Sequence, residues 1–476
     1  MNNFFKRAMQ GDRVVWAIFI TLALISIVSM FSASSYLVQT SGSIQGPILR
    51  HVQFIAFGVF VIALVQMIEY KWIRAMGYIG FVFSIILLLF TQMYGVEQAG
   101  AARFLAIGGF QFQPSEVAKV SLILVIANQI EYLQNEEYQS RYYWIVATAI
   151  YITCALIFLE NFSTAAILFA TTMTMLWIGE IKFKRILITI GIVVAFVAVV
   201  LSVAAIIPES VYHESDNKVV KLFARSYTWV ARIENFVSPS DEDGNSETKY
   251  KVNDSNYQSA HAQIAIARGG WFPGMPGSSQ QRNFLPEAFS DFIFAIIVEE
   301  GGAIAGFFVI LLYLILLYRA GQVARKSESL FGAILVIGVT LLIVFQAFIH
   351  IGVNVALGPV TGQPLPLISR GGTSTLVNCF YFGLIINVTR HIQDMAKAKV
   401  EAVASTEMPK ETETKVAEIK MAETEIAEVV ENPEIEIKTN TNTIDTNNNI
   451  IISNQGEPQN TDNDDITIEI KNKGDI

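Results

Sequence analysis

Long apolar runs dominate the first 390 residues of this chain, and many reach about 18 residues with almost no charge. That is close to the length that an α-helix needs to cross the hydrocarbon core of a bilayer. Only 16% of the 476 residues are charged, whereas 52% are hydrophobic. Soluble domains carry about 25% charged residues, so the sequence predicts a protein embedded in a membrane.

The hydropathy pattern predicts an all-α polytopic membrane protein with about ten transmembrane helices. A large extracytoplasmic loop, about 209–290, separates helices 7 and 8, and a tight turn at Glu160-Asn161 joins helices 5 and 6. The first span is interpreted as a retained helix, because it is too long for a signal peptide and further spans follow it. The predicted spans are 14–34, 51–68, 77–94, 114–130, 143–160, 162–179, 186–208, 289–318, 329–352 and 374–391.

Basic residues in alternate short loops set the predicted orientation. They fall on one side of the membrane if both termini are cytoplasmic, which places the long loop outside. The residues concerned are Lys6, Arg7, Arg13, Lys71, Arg74, Arg141, Lys182, Lys184, Arg185, Arg319, Arg325, Lys326 and Arg390.

The amino-acid composition of the chain changes after Arg390. Residues 392–476 hold 19 acidic and 8 basic side chains, a net charge of −11, and contain no aromatic residue. Such a segment cannot bury enough apolar surface to fold. We therefore predict a membrane domain at 1–391 and a disordered acidic cytoplasmic tail at 392–476. The membrane domain carries only +2 of the total charge of −9, which gives no indication of nucleic-acid binding.

Charged residues at membrane depth are functional candidates because their burial is costly. In the segment 100–119, Glu116 and Lys119 lie three residues apart and so share a helix face, and Arg103 precedes them. Two cations at an outward-facing mouth could bind a diphosphate. The alternative is that Glu116 and Lys119 form a local ion pair that only neutralises itself.

A second candidate segment, 283–302, begins a span at Pro286. Glu287 and Asp291 are four residues apart, on one face of the predicted helix. A helix N-terminus favours anions and lowers the pKa of an acid, so Asp291 is expected to stay ionised; the alternative is that both acids only complement the helix dipole. Deeper in the helix, Glu299 and Glu300 are predicted to pair with a basic residue on a neighbouring span.

The third candidate segment, 358–374, is rich in proline and glycine and cannot form a regular helix. Such backbone is tolerated near a membrane only where it packs on protein or lines a cavity. Arg370 there is either a further cation or an interfacial side chain.

The ends of the long loop supply further groove candidates, namely Arg225, Arg232, Tyr257-Gln258 and Gly269-Gly270-Trp271. Together with the three segments they describe an outward-facing, charge-lined pocket under a loop. That pattern alone does not distinguish an enzyme from a transporter.

Three motifs resemble those of the FtsW/RodA (SEDS) family over about 14–391. The segment GAARF…QPSEVAK is similar to the family's GAxRW…QPSExxK, and FLPEAFSDFIFAIIVEEGG resembles YLPExHTDFIFAxxxEELG. PVTGQPLPLISRGGTS resembles PxTGxxLPxISxGGSS. The resemblance implies ten spans and peptidoglycan glycosyltransferase activity on lipid II.

The resemblance also implies roles for individual residues. Asp291 matches the acid regarded as catalytic, and Arg103, Glu116 and Lys119 match pocket residues. Glu287, Gln280 and Ser369 match further motif positions. The sequence departs from the family pattern at Phe289, a common His, and at residues 160–164, a common QPDxGT. It also departs at His350, a common Asn, at Arg370, a common Tyr, and at Pro276, a common Gly.

The predicted reaction is inverting transfer, with Asp291 as general base and with Arg103 and Lys119 stabilising the departing diphosphate. The expected cofactor is either none or a divalent cation, Mg or Mn. Cys154 and Cys379 show neither disulfide nor metal-ligand spacing and are interpreted as buried small hydrophobes.

The resemblance implies lipid II as substrate and a class B penicillin-binding protein as partner, with other divisome proteins. It places the chain in the bacterial inner membrane, and the motifs favour the division branch and therefore the septum. Three alternatives stay open: a lipid II flippase, an elongation (RodA-type) polymerase, and a division scaffold that only recruits partners.

Overall fold

The structure is a computed structural model and describes residues 10–33, 45–98, 101–107, 110–134, 136–206, 228–234, 236, 252, 256–285 and 288–407. Ten long helices in these ranges correspond one to one with the predicted spans. They are α1 (Arg13–Ala33), α2 (Gln45–Val65), α3 (Tyr70–Tyr94), α4 (Pro114–Leu133), α5 (Glu136–Glu160), α6 (Phe162–Ile178), α7 (Phe183–Ile206), α9 (Ile293–Lys326), α10 (Leu330–Asn354) and α11 (Gly372–Glu407). A shorter helix, α8 (Tyr257–Gly269), lies in the long loop.

Seven of these helices are long and apolar enough to cross a membrane by length and composition: α1, α2, α3, α5, α7, α9 and α10. Helix α6 is apolar but has only 17 residues, and α4 carries three charged residues. The mostly helical, polytopic architecture is therefore confirmed, and the count of ten spans stays a prediction.

Helix α4 is buried along nearly its whole length, on all sides. The outer helices instead expose apolar side chains, such as Ile79, Phe83, Phe57 and Val199. Apolar faces of this extent are unfavourable in water, whereas in a bilayer they meet lipid. A central helix shielded by its neighbours is also where buried polar residues can be satisfied by protein partners.

A small antiparallel sheet connects α3 to α4 and was not predicted from the sequence. Its strands are β1 (Val96–Gln98), β2 (Ala101–Ile107) and β3 (Phe110–Phe112), in the order β1-β2-β3. Val96 pairs with Phe104, and Ile107 pairs with Phe110. The sequence signal was the Gly-Gly pair at 108–109, a typical hairpin connection. The sheet positions Arg103 on β2.

The predicted tight turn between α5 and α6 is confirmed. Helix α5 ends at Glu160, and α6 begins at Phe162. Asn161 caps α6, because its side-chain oxygen accepts hydrogen bonds from the backbone N–H groups of Ser163 (3.0 Å) and Thr164 (3.3 Å). A capping Asn satisfies N–H groups that a helix start leaves without partners.

Helix α9 is interrupted at Gly302, where φ is 68° and ψ is 179°. The backbone of the loop after α8 fits into this break. Ala303 N–H donates to the Gly270 carbonyl at 2.9 Å, and Gly274 N–H donates to the Glu300 carbonyl at 2.7 Å. A Cβ at position 302 would lie only 2.7 Å from backbone atoms of Phe272. Glycine is therefore required there for both conformation and space.

Helix α11 continues beyond the predicted end of the membrane domain at 391 and reaches Glu407. Residues 392–407 are thus helical, whereas the sequence predicted that the disordered tail begins at 392. A contact-based division separates Met1–Ala402 from Val403–Ile476. Residues 408–476 lie outside the described residues, so the prediction of disorder there stays a prediction.

We expect Gly302→Ala to destabilise the protein. The substitution places a side chain in a backbone region that is essentially restricted to glycine, which costs roughly 1–3 kcal/mol, and pushes Cβ against the Phe272 backbone. The melting temperature in detergent should fall by several degrees. Gly321→Ala in the same helix is the control, because a Cβ there meets nothing within 4 Å. Equal melting temperatures for the two variants would contradict this account of the break.

Candidate functional site

Asp291 lies in the turn just before α9, which begins at Ile293. Ser290 Oγ donates to its Oδ1 at 3.1 Å. Its own carbonyl accepts from Asn354 Nδ2 at 3.1 Å, and Asn354 Oδ1 accepts from Ala295 N–H at 3.1 Å. Asn354 on α10 therefore fixes the backbone on both sides of the start of α9 and so positions the carboxylate.

Burial raises the pKa of Asp291 above its ordinary value, although the Ser290 hydroxyl and the guanidinium groups of Arg103 and Arg232 act in the opposite direction. The prediction that the helix N-terminus keeps this pKa low is therefore wrong, because desolvation of the charged form outweighs the favourable contacts. A raised pKa makes the carboxylate a stronger base.

Two arginines supply positive charge around Asp291. Arg103 on β2 donates from Nε to the Glu160 carbonyl at 3.2 Å. Burial and the nearby Arg232 lower the pKa of Arg103, whereas Asp291 and Glu160 raise it. Partial burial lowers the pKa of Arg232, and Asp291 raises it. Arginine keeps its charge despite such shifts, so the charges of two cations, Arg103 and Arg232, and of two acids, Asp291 and Glu160, act on one another here.

Arg232 is held by a different part of the chain. Its Nη1 donates to the Val360 carbonyl at 2.8 Å, and its guanidinium lies 5.3 Å from the ring centre of Trp229. From the sequence, Arg232 was only one of several groove candidates, and in the structure its charge acts on the pKa of Asp291. Arg225, the other arginine of that pair, lies outside the described residues.

Lys119 and Glu116 form a closed ion pair inside the bundle. Lys119 Nζ lies 2.8 Å from Glu116 Oε1, and the lysine is only 1% exposed. This is the geometry of the alternative in which the two charges neutralise each other. Arg103 and Arg232, and not Lys119, are the cations that act on the pKa of Asp291. The substrate-binding roles of Lys119 and Glu116 stay predictions.

Ser369 connects the irregular segment 358–371 to the site. Its Oγ donates to the Ser290 carbonyl at 2.6 Å and accepts from Leu365 N–H at 2.7 Å. Next to it, Arg370 N–H donates to the Phe289 carbonyl at 3.0 Å. Ser369 thus holds the residue immediately before Asp291 and acts through it, as a positioning residue.

The same segment packs on protein, as the sequence predicted for backbone of this kind. Its carbonyl groups accept hydrogen bonds from side chains of three helices. The bonds are Ser26 Oγ to Ile368 (2.8 Å), Tyr313 Oη to Pro366 (2.6 Å), Gln346 Nε2 to Pro364 (3.0 Å) and His350 Nδ1 to Gln363 (2.7 Å). Gln363 Nε2 in turn donates to Thr164 Oγ1 at 2.9 Å.

Sequence reasoning missed the polar stripe on α10 that supports the site. Gln346, His350 and Asn354 lie four residues apart and therefore on one face of an otherwise apolar helix. Polar residues repeated at this spacing in a membrane span face protein rather than lipid. The stripe could have been predicted from that spacing, but in the sequence His350 was considered only as a departure from the family pattern.

Glu299 and Glu300 both have partners in the loop, and Glu300 has a second partner on the neighbouring helix α1. Glu299 lies 3.8 Å from Arg268 of α8 and accepts from the backbone N–H of Gln280 at 3.1 Å. Glu300 accepts from Ser279 N–H at 3.0 Å and from the Ser32 hydroxyl of α1. The predicted basic partner exists for Glu299, but it lies on α8 in the loop.

Two further candidates have no described role at Asp291. Gln280 is exposed and is held through its backbone, whereas Glu287 lies outside the described residues. Among the described residues, no three side chains of His, Cys, Asp or Glu gather where they could hold a metal ion. The charged groups that act on Asp291 are cationic, which does not fit a divalent cation.

The contribution of the buried Lys119–Glu116 ion pair to stability can be tested with a double-mutant cycle. Removing one partner of a buried ion pair costs about 3–5 kcal/mol, because the other charge stays buried. Lys119→Gln and Glu116→Gln should each lower the melting temperature by several degrees. The double variant should be less destabilised than the sum of the two.

Lys71→Gln is the control, because the Lys71–Glu69 pair is exposed (69% and 66%) and such pairs contribute little. If Lys119→Gln instead keeps full stability and loses binding of lipid-linked diphosphate, the lysine is a phosphate ligand and not a structural cation.

Comparison with known proteins identifies relatives over most of the chain. The family model FTSW_RODA_SPOVE, described as "Cell cycle protein", matches residues 12–394. A protein of Enterococcus hirae named "Probable peptidoglycan glycosyltransferase FtsW" is 29% identical over 404 residues, covering 82% of this chain and 95% of that protein. A protein of Halomonas elongata with the same name is 31% identical over 392 residues, covering 78% and 89%.

Solved structures show the same fold. A chain from "Structural coordination of polymerization and crosslinking by a peptidoglycan synthase complex" matches with a TM-score of 0.60 and 20% identity, covering 81% of this chain and 99% of that one. The rod shape determining protein RodA of Thermus thermophilus matches with a TM-score of 0.55 and 20% identity, covering 80% and 97%.

Proposed function

Because the chain belongs to the FtsW/RodA/SpoVE family of cell cycle proteins, we propose that it is a peptidoglycan glycosyltransferase that polymerises lipid II. One observation carries this proposal: Asp291, fixed in the turn before α9 by Asn354, is acted on by two arginines, Arg103 and Arg232, that are themselves held by main-chain carbonyls. A base beside two cations suits a reaction that removes a proton and expels a diphosphate.

The reaction is a single inverting displacement. The acceptor's 4-hydroxyl oxygen forms a bond to the anomeric carbon of the donor sugar, and the bond from that carbon to the diphosphate oxygen breaks. The Asp291 carboxylate accepts the hydroxyl proton. The diphosphate leaves with the electron pair, and its negative charge develops beside Arg103 and Arg232. These guanidinium groups are held by the Glu160 and Val360 carbonyls, so little reorganisation is needed as the charge forms.

The partner that we propose is a class B penicillin-binding protein, a transpeptidase that crosslinks the new strands. One structural neighbour comes from a peptidoglycan synthase complex that coordinates polymerization and crosslinking, which supports this choice. The FtsW names of the curated relatives favour a role at the septum with other divisome proteins. The elongation role is the alternative, in which a fluorescent fusion would spread along the side wall.

Asp291→Asn should abolish polymerisation and keep binding. General base catalysis contributes about 10²–10⁴-fold, so strand formation from fluorescent lipid II, with the partner transpeptidase, should fall at least that far. An acid with a raised pKa destabilises the folded state at pH values above its ordinary pKa, because the unfolded chain ionises more easily. The melting temperature of Asp291→Asn at neutral pH should therefore rise.

Asp394→Asn is the matched control, since Asp394 is half-exposed and far along the chain on α11. Strand formation within a few-fold of wild type by Asp291→Asn would mean that another group accepts the proton. A flippase gives a different outcome: the wild type would move lipid II between leaflets and make no strands.

The pH dependence should report the same carboxylate. Strand formation requires ionised Asp291, so the rate should fall as pH decreases through its pKa, which lies above the ordinary 3.8. Arg103→Gln removes a charge that lowers this pKa, so the acidic limb should move to higher pH as the rate declines. Lys71→Gln should leave the limb in place. If the acidic limb of the pH–rate profile stays at the same pH in Arg103→Gln, then Arg103 does not act on the pKa of Asp291.

A further inference from the structure

Residues 360–363 of the irregular segment contact two of the charged groups of the site. At one end, the Val360 carbonyl accepts from Arg232 Nη1 at 2.8 Å. Towards the other end, the backbone of Gly362 packs against Asp291, because a Cβ at position 362 would lie only 3.4 Å from Asp291 Oδ2. We call the backbone of residues 360–363 the bridge, since it touches both the proposed base and one of the two cations.

The close approach of the bridge to Asp291 depends on glycine. Gly362 has a φ of 64°, in the left-handed region that glycine adopts without strain. It also has no side chain that would separate the backbone from the carboxylate. The position of the bridge beside Asp291 is therefore set by the contacts of the next residue, Gln363.

His350 of α10 holds that next residue. The ring is only 1% exposed, and its Nδ1 lies 2.7 Å from the Gln363 carbonyl. A carbonyl can only accept a hydrogen bond, so Nδ1 carries the proton and donates it. The second ring nitrogen, Nε2, is buried without a hydrogen-bond partner among the described residues. In that part of the chain, the hydrogen bonding of the ring therefore rests on its contact with the bridge.

The same face of α10 also holds the backbone of Asp291. Asn354 follows His350 by four residues, and its Nδ2 donates to the carbonyls of His350 at 2.8 Å and of Asp291 at 3.1 Å. Asn354 thus fixes the main chain of the base, whereas His350 fixes the main chain that packs against the carboxylate of the base.

We propose that His350 is a positioning residue for both Asp291 and Arg232, and that it acts through the bridge. The inference rests on the proposed function and adds how the base and one cation keep their relative positions. In the displacement, the base takes the hydroxyl proton while charge develops on the diphosphate near the cation. A shift of the bridge would therefore misplace both groups at once. His350 itself does not touch the substrate.

Substitutions at His350 can separate this role from a general contribution to stability. His350→Asn keeps an N–H donor close to the position of Nδ1, whereas His350→Gln places its amide near the position of Nε2 and His350→Leu has no donor. Tyr313→Phe is the control, because Tyr313 Oη donates to the Pro366 carbonyl at 2.6 Å, in the same segment but outside the bridge. The full-length proteins are assayed for strand formation with their partner transpeptidase, and melting temperatures establish that each is folded.

We expect His350→Leu and His350→Gln to lower kcat by about 10²-fold, the scale reported for a misplacement of about 1 Å. His350→Asn should keep kcat within a few-fold of the wild type. Tyr313→Phe should lower the melting temperature, because a buried carbonyl loses its donor, and should leave kcat near that of the wild type. Equal kcat values for His350→Asn and His350→Gln, or an equal loss in Tyr313→Phe and His350→Leu, would overturn the proposal.

A double-mutant cycle tests the connection to Arg232. Residues that act through one network have non-additive effects, so His350→Leu should lower kcat by a several-fold smaller factor when Arg232→Gln is already present. Tyr313→Phe should have the same effect with and without Arg232→Gln. An unchanged effect of His350→Leu in the Arg232→Gln background would refute the claim that His350 acts on both groups.

Hydrogen exchange gives a readout that does not require catalysis. Backbone amides of residues 358–371 and 228–234 should exchange faster in His350→Leu than in the wild type, because the bridge loses its anchor, and His350→Asn should restore their protection. Equal exchange in the wild type and His350→Leu would contradict the positioning role. A wild type that makes no strands would refute the proposed function, and the exchange rates would still decide whether His350 fixes the bridge.

Discussion

The structure depends on one constraint: each backbone polar group inside the membrane needs a hydrogen-bond partner from the protein, because the bilayer core offers no water. Helices satisfy their own backbone, but the segment 358–371 and the break at Gly302 do not. Side chains of the helices donate hydrogen bonds to the carbonyls of the segment 358–371. The loop after α8 forms backbone hydrogen bonds with the break at Gly302. Irregular backbone beside the site is therefore possible only because polar side chains inside the bundle form hydrogen bonds with it.

The same polar framework places the charged groups. Asn354 and Ser369 bind the backbone at and before Asp291, whereas carbonyls at Glu160 and Val360 hold the two arginines. Each functional side chain is thus fixed by an element other than its own. Partial removal from water then strengthens every charge interaction, and it raises the pKa of the acid although two cations lie nearby.

Hydropathy alone predicted the ten long helices, because a membrane-spanning helix consists of consecutive, mostly apolar residues. Motif resemblance predicted Asp291 and Arg103. The proximity of Arg103 to Arg232 could not be predicted, because it brings β2 near a segment about 130 residues later in the chain. The short sheet was missed because its strands are only three to seven residues long. The break at Gly302 was missed although the pair Gly301-Gly302 is a breaker signal, because apolar residues continue on both sides of Glu299–Gly302 and the opposing loop cannot be inferred from the local sequence.

The integral membrane protein is packed unevenly around the site. On one side, Asn354 of α10 and Ser369 of the segment 358–371 form hydrogen bonds with the backbone at and before Asp291. On the other side, α7 is the least buried of the seven helices that are long and apolar enough to cross a membrane. Groups that act on a developing charge have to be fixed before the substrate arrives, and the tightly packed side is the one that holds Asp291.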